Sequence, residues 1–434
     1  MLAFPSKIIL WVLTSASIDA VCGAFVVVRI PELRQRSTTS PRNQRILAKK
    51  KNKSNAKRNK GPGKGFGRGA VTKEGFDSSA IEEGAAKHQS GTGTTSGPIH
   101  TKLLSWLRRH PNTHISAKFT IAPSPLGGYG GFATAALRKN EVLFRIPREC
   151  CVTYDDALSD PDIGGVFQQI KRDRLPSWGM ILIAGWIAKE YMLANDFGCA
   201  SSVEGVGADV GGRNSNRIKH LPYLQSIPWE RGSFGQDHIL FWSDEEVETL
   251  LKESLAYDDA TLIRKTVEST IQLLGDFVIP IVRNIRLQSQ NHDHTTINSD
   301  GDESCDDSSR ADIMNTFERA IKGAFVIALS RSFAEEVEDD EGTVEVENVL
   351  LPLIDMLQHN NAPNTELEPY DDFVIVRARR DVDAGEELFH QYQEENDNVI
   401  PPHKFFTRYG FIPGVREPTI DLLKRRDSIF FDFI

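Results

Sequence analysis

The sequence predicts an α+β protein in which short β-strands form small sheets, a large α-helical insertion interrupts them, and a disordered amino-terminal arm comes first. Three observations lead there. Short extended apolar runs flank a long region whose apolar residues recur at helical spacing. Residues 54–100 are poor in the large apolar groups that a core requires. The rest of the 434 residues, in a chain that is 40% hydrophobic and 26% charged, suffices for at least one sizeable core.

The amino terminus reads as an address. Lys7 precedes the apolar run Ile8 to Leu13, and Cys22-Gly23-Ala24 offers the small residues of a cleavage site, so residues 1–24 are expected to be a signal peptide. The run is too short to span a bilayer, which takes about 20 apolar residues, and no later segment is long enough. Phe25 then opens a stretch with fourteen Lys/Arg against the single Glu32 up to residue 70, leaving about −22 of the net −9 on residues 71–434. A leader followed by an acid-poor basic stretch resembles the bipartite presequences of secondary plastids, and plastid delivery is the expectation. The alternatives are the secretory pathway, or a nuclear-localisation or nucleic-acid patch at Lys49 to Lys60. Residues 54–100 are dense in Gly, Ser, Thr and Lys and read as a linker; Gly65-Phe66-Gly67-Arg68-Gly69 lacks the flanks of a phosphate loop.

Order is expected to begin near Leu103 to Leu107, an amphipathic turn or two. Strand-like runs follow at Ile115 to Ile121, Phe132 to Thr134 and Val142 to Ile146, the last ended by Pro147. Residues 178–194, with Trp178, Leu182, Ile183, Trp186 and Ile187 on one stripe, and residues 244–290 carry helical spacing. Residues 195–216 and 288–312 are polar and read as loops. Strands return at Val349 to Ile354, Phe373 to Ala378 and Leu388 to Tyr392. Leu137 to Phe144 and Val382 to Phe389 share one pattern, with Asn140 and Gly385 where a left-handed residue is easiest, each followed by Glu and a strand. They read as halves of one unit or as two unrelated hairpins.

The cysteines exclude two classes. Cys22, Cys150, Cys151, Cys199 and Cys305 contain no CxxC spacing, so no zinc cluster is expected, and they do not resemble a disulfide scaffold. Reduced structural thiols are the reading.

Three strings carry the chemistry. Gly128-Tyr129-Gly130-Gly131-Phe132-Ala133 lets a backbone approach a ligand closely, although a hairpin turn explains it equally. Ala328 to Phe333, with Ser330-Arg331, is followed by Leu351 to His359, with Asp355 and Gln358-His359; without context His359 would be an ordinary core histidine. Glu386 to Tyr392 is followed by Tyr409-Gly410-Phe411-Ile412-Pro413, and an isolated tyrosine pair would be core aromatics. In this order the three resemble the motifs of the SET-domain methyltransferases. Residues 178–194, followed by His220 to Pro228 and Trp242 to Glu246, resemble the helical insertion of the branch that includes Rubisco large-subunit lysine methyltransferase.

The resemblance implies a SET-type fold with domains at 101–155 and 321–416 around an insertion at 156–320, and a short tail at 417–434. It implies S-adenosylmethionine as methyl donor, no metal, and a protein acceptor, with no nucleic-acid partner and no membrane span. It assigns Gly128, Tyr129, Gly130, Arg331, Asp355, Gln358, His359 and Tyr392 to the cosubstrate, Tyr392 as the catalytic residue, and Tyr409 and Phe411 to the acceptor channel. Gln358 stands where the family usually has Asn. Lysine is the expected acceptor; a histidine acceptor and a non-catalytic protein-binding module are the alternatives, and a nucleic-acid binder through residues 45–68 is a third class. Methyl transfer from a sulfonium to an amine depends on holding carbon, sulfur and nitrogen in line, about 3–3.5 Å at the reacting pair, so positioning groups matter more than acids or bases.

Overall fold

Apolar spacing over Leu103, Leu104, Trp106 and Leu107, with Pro98 at the first turn and Arg108-Arg109 at the last, makes helix α1 of Pro98–Arg109. The helix starts inside the segment read as linker, because its N-terminal turn carries His100, which is buried with the rest of the apolar face. The computed structural model describes residues 27–28, 97–198, 218–293, 306–338, 344–392, 400–415 and 419–425. These described residues belong to one compact unit. The signal peptide and most of the basic arm and linker lie outside the described residues, as does most of the 195–216 loop.

Three sheets form among the described residues. Strands β2 (His114–Ile115), β5 (Val142–Pro147), β10 (Phe373–Ala378) and β9 (Thr365–Pro369) pair in the order β2-β5-β10-β9, antiparallel throughout. Strands β3 (Phe119–Pro123), β4 (Tyr129–Ala133), β11 (Glu387–His390) and β8 (Gln358–His359) form the second, in the order β3-β4-β11-β8. The third joins β1 (Val27–Val28), β6 (Ser332–Glu338) and β7 (Val344–Leu350). The run expected as one strand from Ile115 to Ile121 is two, because Ser116 to Lys118 make the turn between sheets. The strand expected from Val349 to Ile354 instead ends at Leu350; Leu353 adopts φ 75° and a short 3-10 turn occupies Ile354–Met356. A leucine at positive φ is strained, and it sits within the second of the three strings, just before Asp355.

The two similar turns meet each other. Leu137 N–H donates to Val382 O at 2.9 Å and Val382 N–H returns the bond to Leu137 O at 3.0 Å, with Asn140 (φ 68°) and Gly385 (φ 88°) at the tips. The shared sequence pattern therefore marks two halves of one unit, since each turn supplies the other's missing backbone partners.

Further helices follow in chain order. They are α2 (Tyr154–Leu158), α3 (Gly164–Arg172), α4 (Trp178–Gly198), α5 (Leu221–Leu224), α6 (Asp244–Leu251), α7 (Ala256–Asp293), α8 (Asp306–Arg331), α9 (Pro402–Tyr409) and α10 (Thr419–Lys424). The stretch 244–290 is two helices rather than one, because Ser243 caps α6 with a capping box and the chain turns at Lys252 to Leu255. Residues 288–312, expected as a loop, are helical to Asp293 and again from Asp306. Helix α4 is buried nearly all round between α8 and α7, and its one inward Lys189 is held by Asp160 at 2.5 Å and Glu190 at 3.2 Å. One apolar cluster runs without a break from α1 through β3, β5 and α4 to α8, β10 and β11. Cys150 and Cys151 are buried within it as free thiols.

Candidate active site

Segments from along the chain, five of which carry the sequence motifs or adjoin them, meet at one cleft of about 670 Å³. The β3–β4 turn contributes Leu126 to Tyr129, the end of α8 contributes Ser330 and Arg331, the 3-10 turn and β8 contribute Asp355 to His359, Tyr392 follows β11, and α9 with its exit contributes Phe406 and Tyr409 to Val415. The sheet register brings the second and third motifs together: β8 runs parallel to β11, with Phe389 opposite Gln358 and His390 opposite His359. Tyr392 is then two residues beyond the strand, within reach of β8. A second small crevice adjoins it, lined by Ser330 to Phe333, Asp355, Tyr392 and Tyr409.

Tyr392 is fixed at both ends. Its backbone N–H donates to His359 Nδ1 at 3.1 Å, and its hydroxyl donates to Leu357 O at 3.1 Å. Because Nδ1 accepts, His359 is the tautomer protonated on Nε2, which donates to Asn361 Oδ1 at 3.1 Å. Burial holds the His359 ring below the ordinary imidazole range, so it stays neutral and keeps that tautomer. Rings surround the phenol: Tyr409 at 5.1 Å, His359 at 5.1 Å and Phe411 at 6.5 Å, with Phe405 packed on both His359 and Tyr409. Burial raises the Tyr392 and Tyr409 hydroxyls above the ordinary phenol range, so both remain protonated at neutral pH. Gly410, at φ 82°, ends α9 and turns the chain so that Phe411 reaches the same cluster.

Asp355 has a different role. Its carboxylate is fully buried, accepts from Tyr223 Oη at 2.9 Å and faces Arg331 Nη1 at 3.4 Å, while that same nitrogen donates to the Asp355 carbonyl at 3.1 Å. Burial pushes its carboxyl above the usual range against the pull of Arg331. The trio joins α5, α8 and the 3-10 turn, and it sets the position of the strained Leu353 turn from which Gln358 and His359 emerge. Gln358 Nε2 donates to Tyr129 O at 2.9 Å and Gly127 O at 3.2 Å, tying β8 to the glycine turn.

Nine of the ten residues implied from sequence border this space. Gly130 does not: on β4 it faces away, and a side chain there would overlap the Glu387 carboxylate. Gly128, at φ 65°, is the glycine that the cleft requires, because a Cβ would lie 2.9 Å from Phe234 O. Two contributors escaped the sequence reading. His100 of α1 lies against Tyr129 (4.4 Å between ring centroids) and Phe234 (5.8 Å), 2% exposed, with neither ring nitrogen hydrogen-bonded. Phe234, itself at φ 50° in the turn Gly232 to Gly235, packs over the glycine motif. The only sequence signal was the pair of glycines around Ser233-Phe234, between two stretches that were singled out. Among the described residues no group of His, Cys, Asp and Glu is arranged to hold a metal ion, and no helix is long and apolar enough to cross a membrane.

The cleft's residues fit an adenosyl sulfonium compound. It is within the size range of small-molecule sites, and it combines apolar rings with a few convergent polar groups, among them the paired carbonyls of Gly127 and Tyr129.

Comparison with known proteins adds the family. Curated relatives include N-lysine methyltransferase SETD6 of Mus musculus, 23% identical over 344 residues, and that of Rattus norvegicus, 22% identical over 352 residues. The matches cover 77% and 79% of this chain, which spans 59% and 60% of the length of those proteins. Solved structures that resemble it include Rubisco LSMT bound to AdoMet, at a TM-score of 0.48 and 17% identity over 73% of this chain and 57% of that one. The SET domain of LSMT bound to lysine and AdoHcy gives 0.46 and 17%, over 73% and 57%. The SET domain model matches residues 128–393, more than half of the chain, from the glycine turn to just past Tyr392, and the chain therefore belongs to the SET-domain family.

Proposed function

We propose that this protein is an S-adenosylmethionine-dependent protein N-methyltransferase whose acceptor is a lysine side chain. The observation that carries the reading is the placement of Tyr392, whose hydroxyl donates to Leu357 O at 3.1 Å while its ring borders the cleft beside Tyr409 and Phe411. The cleft takes the cosubstrate, and the Tyr409 and Phe411 rings beside Tyr392 take the acceptor. The cosubstrate supplies a methyl group on a positively charged sulfur. The acceptor's neutral nitrogen forms the new bond to that methyl carbon as the carbon–sulfur bond breaks; the sulfur leaves as a neutral thioether, and the product ammonium sheds its proton to water.

The chain's own groups account for the remainder. Tyr392 donates its proton to Leu357 O, which leaves its oxygen lone pairs to accept from the acceptor's N–H and orient the nitrogen; its raised pKa rules it out as a phenolate base. The rings of Phe405, Tyr409 and Phe411 exclude water, which favours the neutral form of an entering lysine. Backbone carbonyls, Leu357 and Tyr129 among them, present fixed negative dipoles toward a cationic ligand.

The test is incubation of the full chain with radiolabelled S-adenosylmethionine and candidate acceptor proteins, followed by acid hydrolysis. Labelled methyl-lysine supports the reading. Methyl-histidine moves it to the histidine acceptor, and no labelled protein despite cosubstrate binding favours the protein-binding module. Plastid delivery remains a proposal resting on the amino-terminal composition; mass spectrometry of the mature amino terminus checks it, since cleavage after Ala24 would retain Val27–Val28 until a second removal.

A further inference from the structure

Gln358 is attached to the cleft wall in a particular way. Its side-chain nitrogen donates to two backbone carbonyls at once, Tyr129 O at 2.9 Å and Gly127 O at 3.2 Å. These carbonyls converge because Gly127 (φ 99°) and Gly128 (φ 65°) turn the backbone through the left-handed region, a turn locked by Ser124, whose N–H donates to Gly128 O while its carbonyl accepts from Gly127 N–H, both at 3.0 Å. A Cβ at position 128 would sit 4.0 Å from the same amide nitrogen, which places that atom directly over the turn. Two fixed carbonyls aimed at one point form a site for a single strong donor, and among ligand groups an ammonium is the strongest such donor. S-adenosylmethionine carries one ammonium, on its amino-acid end.

We propose that Gln358 is a built-in surrogate for that ammonium: its amide nitrogen occupies the carbonyl pair of Gly127 and Tyr129, and the cosubstrate binds by displacing it. The inference rests on the methyltransferase reading above. Displacement asks little of the fold, since Gln358 is only half-buried and lies at the end of a two-residue strand, so its side chain swings out while β8 stays paired to β11. An asparagine here would be one carbon shorter, so its amide would fall short of the carbonyls that Gln358 reaches at 2.9 and 3.2 Å. The substitution therefore trades affinity for a closed wall: the fraction of molecules with the carbonyl pair free scales the apparent affinity directly.

Calorimetric titration of the full chain with two probes tests this. S-adenosylhomocysteine keeps the ammonium, whereas methylthioadenosine lacks the amino-acid end. Gln358→Ala and Gln358→Asn should each bind S-adenosylhomocysteine roughly fivefold more tightly than the parent, the factor expected from removing one hydrogen-bonded competitor of ordinary net strength. Methylthioadenosine affinity should stay within about twofold, because that probe never contests the pair. Weaker S-adenosylhomocysteine binding by both variants would make Gln358 a direct contact and overturn the proposal. Equal changes for both probes would also overturn it, by showing a general effect on the cleft. Failure of every form to bind either probe, with melting curves that show a folded protein, would instead remove the methyltransferase reading and this proposal with it.

Discussion

Replacing Tyr392 by Phe removes one oxygen and nothing else from the cleft. The ring contacts to Tyr409 at 5.1 Å and His359 at 5.1 Å do not involve the hydroxyl, and the backbone bond to His359 Nδ1 is untouched. The loss is therefore one hydrogen bond of 3.1 Å to Leu357 O, worth about 0.5–1.5 kcal/mol to folding. In a chain of this size that shifts the melting temperature by no more than about 4 °C. Cosubstrate affinity should change less than about threefold, since the hydroxyl lies at the boundary with the acceptor side and its partner is a backbone carbonyl. Transfer should fall by about 100- to 1000-fold, the scale on which one preorganised group contributes to a transition state. Single-turnover transfer of a radiolabelled methyl group, run beside calorimetry and thermal melting, separates the three quantities. A transfer rate within a factor of three of the parent would refute the assignment of Tyr392, and a loss of cosubstrate binding equal to the loss of rate would show that the residue builds the cleft rather than positioning the acceptor.

Other perturbations follow from the same geometry. Gly130→Ala should cost about 1–3 kcal/mol in urea unfolding, because the new methyl meets the buried Glu387 carboxylate, whereas Gly165→Ala on α3, with open space around it, should be neutral or slightly stabilising. His100→Phe keeps the contacts to Tyr129 and Phe234 and removes two buried nitrogens that lack partners, so it should leave stability equal or higher by up to about 1 kcal/mol; a clear loss would reveal a partner for that ring. His238 accepts from Leu240 N–H at 3.2 Å, faces Arg408 O at 3.2 Å, and is held by burial down to about 4. The unfolded chain therefore binds this proton first, and folding stability is lost as pH falls from about 6.5 toward 4, by roughly 3 kcal/mol at most. His238→Phe should be less stable at pH 8 yet show a shallower decline across that window in chemical denaturation.

The family and most of the site were legible in the sequence because their signals are local. Glycines where the backbone must turn left-handed, a tyrosine followed by Tyr-Gly-Phe, and the strand-like runs around them depend only on near neighbours. The turns at Asn140 and Gly385 were legible as a pair for the same reason, and their mutual hydrogen bonds gave that likeness its meaning. Boundaries were less legible: the polar composition of 288–312 read as loop, yet the chain is helical to Asp293 and again from Asp306, since polar composition alone does not end a helix. Gly130 illustrates a different limit, because adjacent residues of a strand face opposite ways and only the pairing with β11 determines which glycine borders the cleft. His100 and Phe234 lie far from the motifs in sequence, and nothing in their own neighbourhoods marks them. The sequence by itself determined the order of the motifs and the residue types that carry the chemistry, since those follow from local backbone and side-chain properties. Only the tertiary structure decided that Gln358 bridges two carbonyls, that His359 fixes the backbone of Tyr392, and that α1 completes the wall, because each of these is a contact between segments distant along the chain.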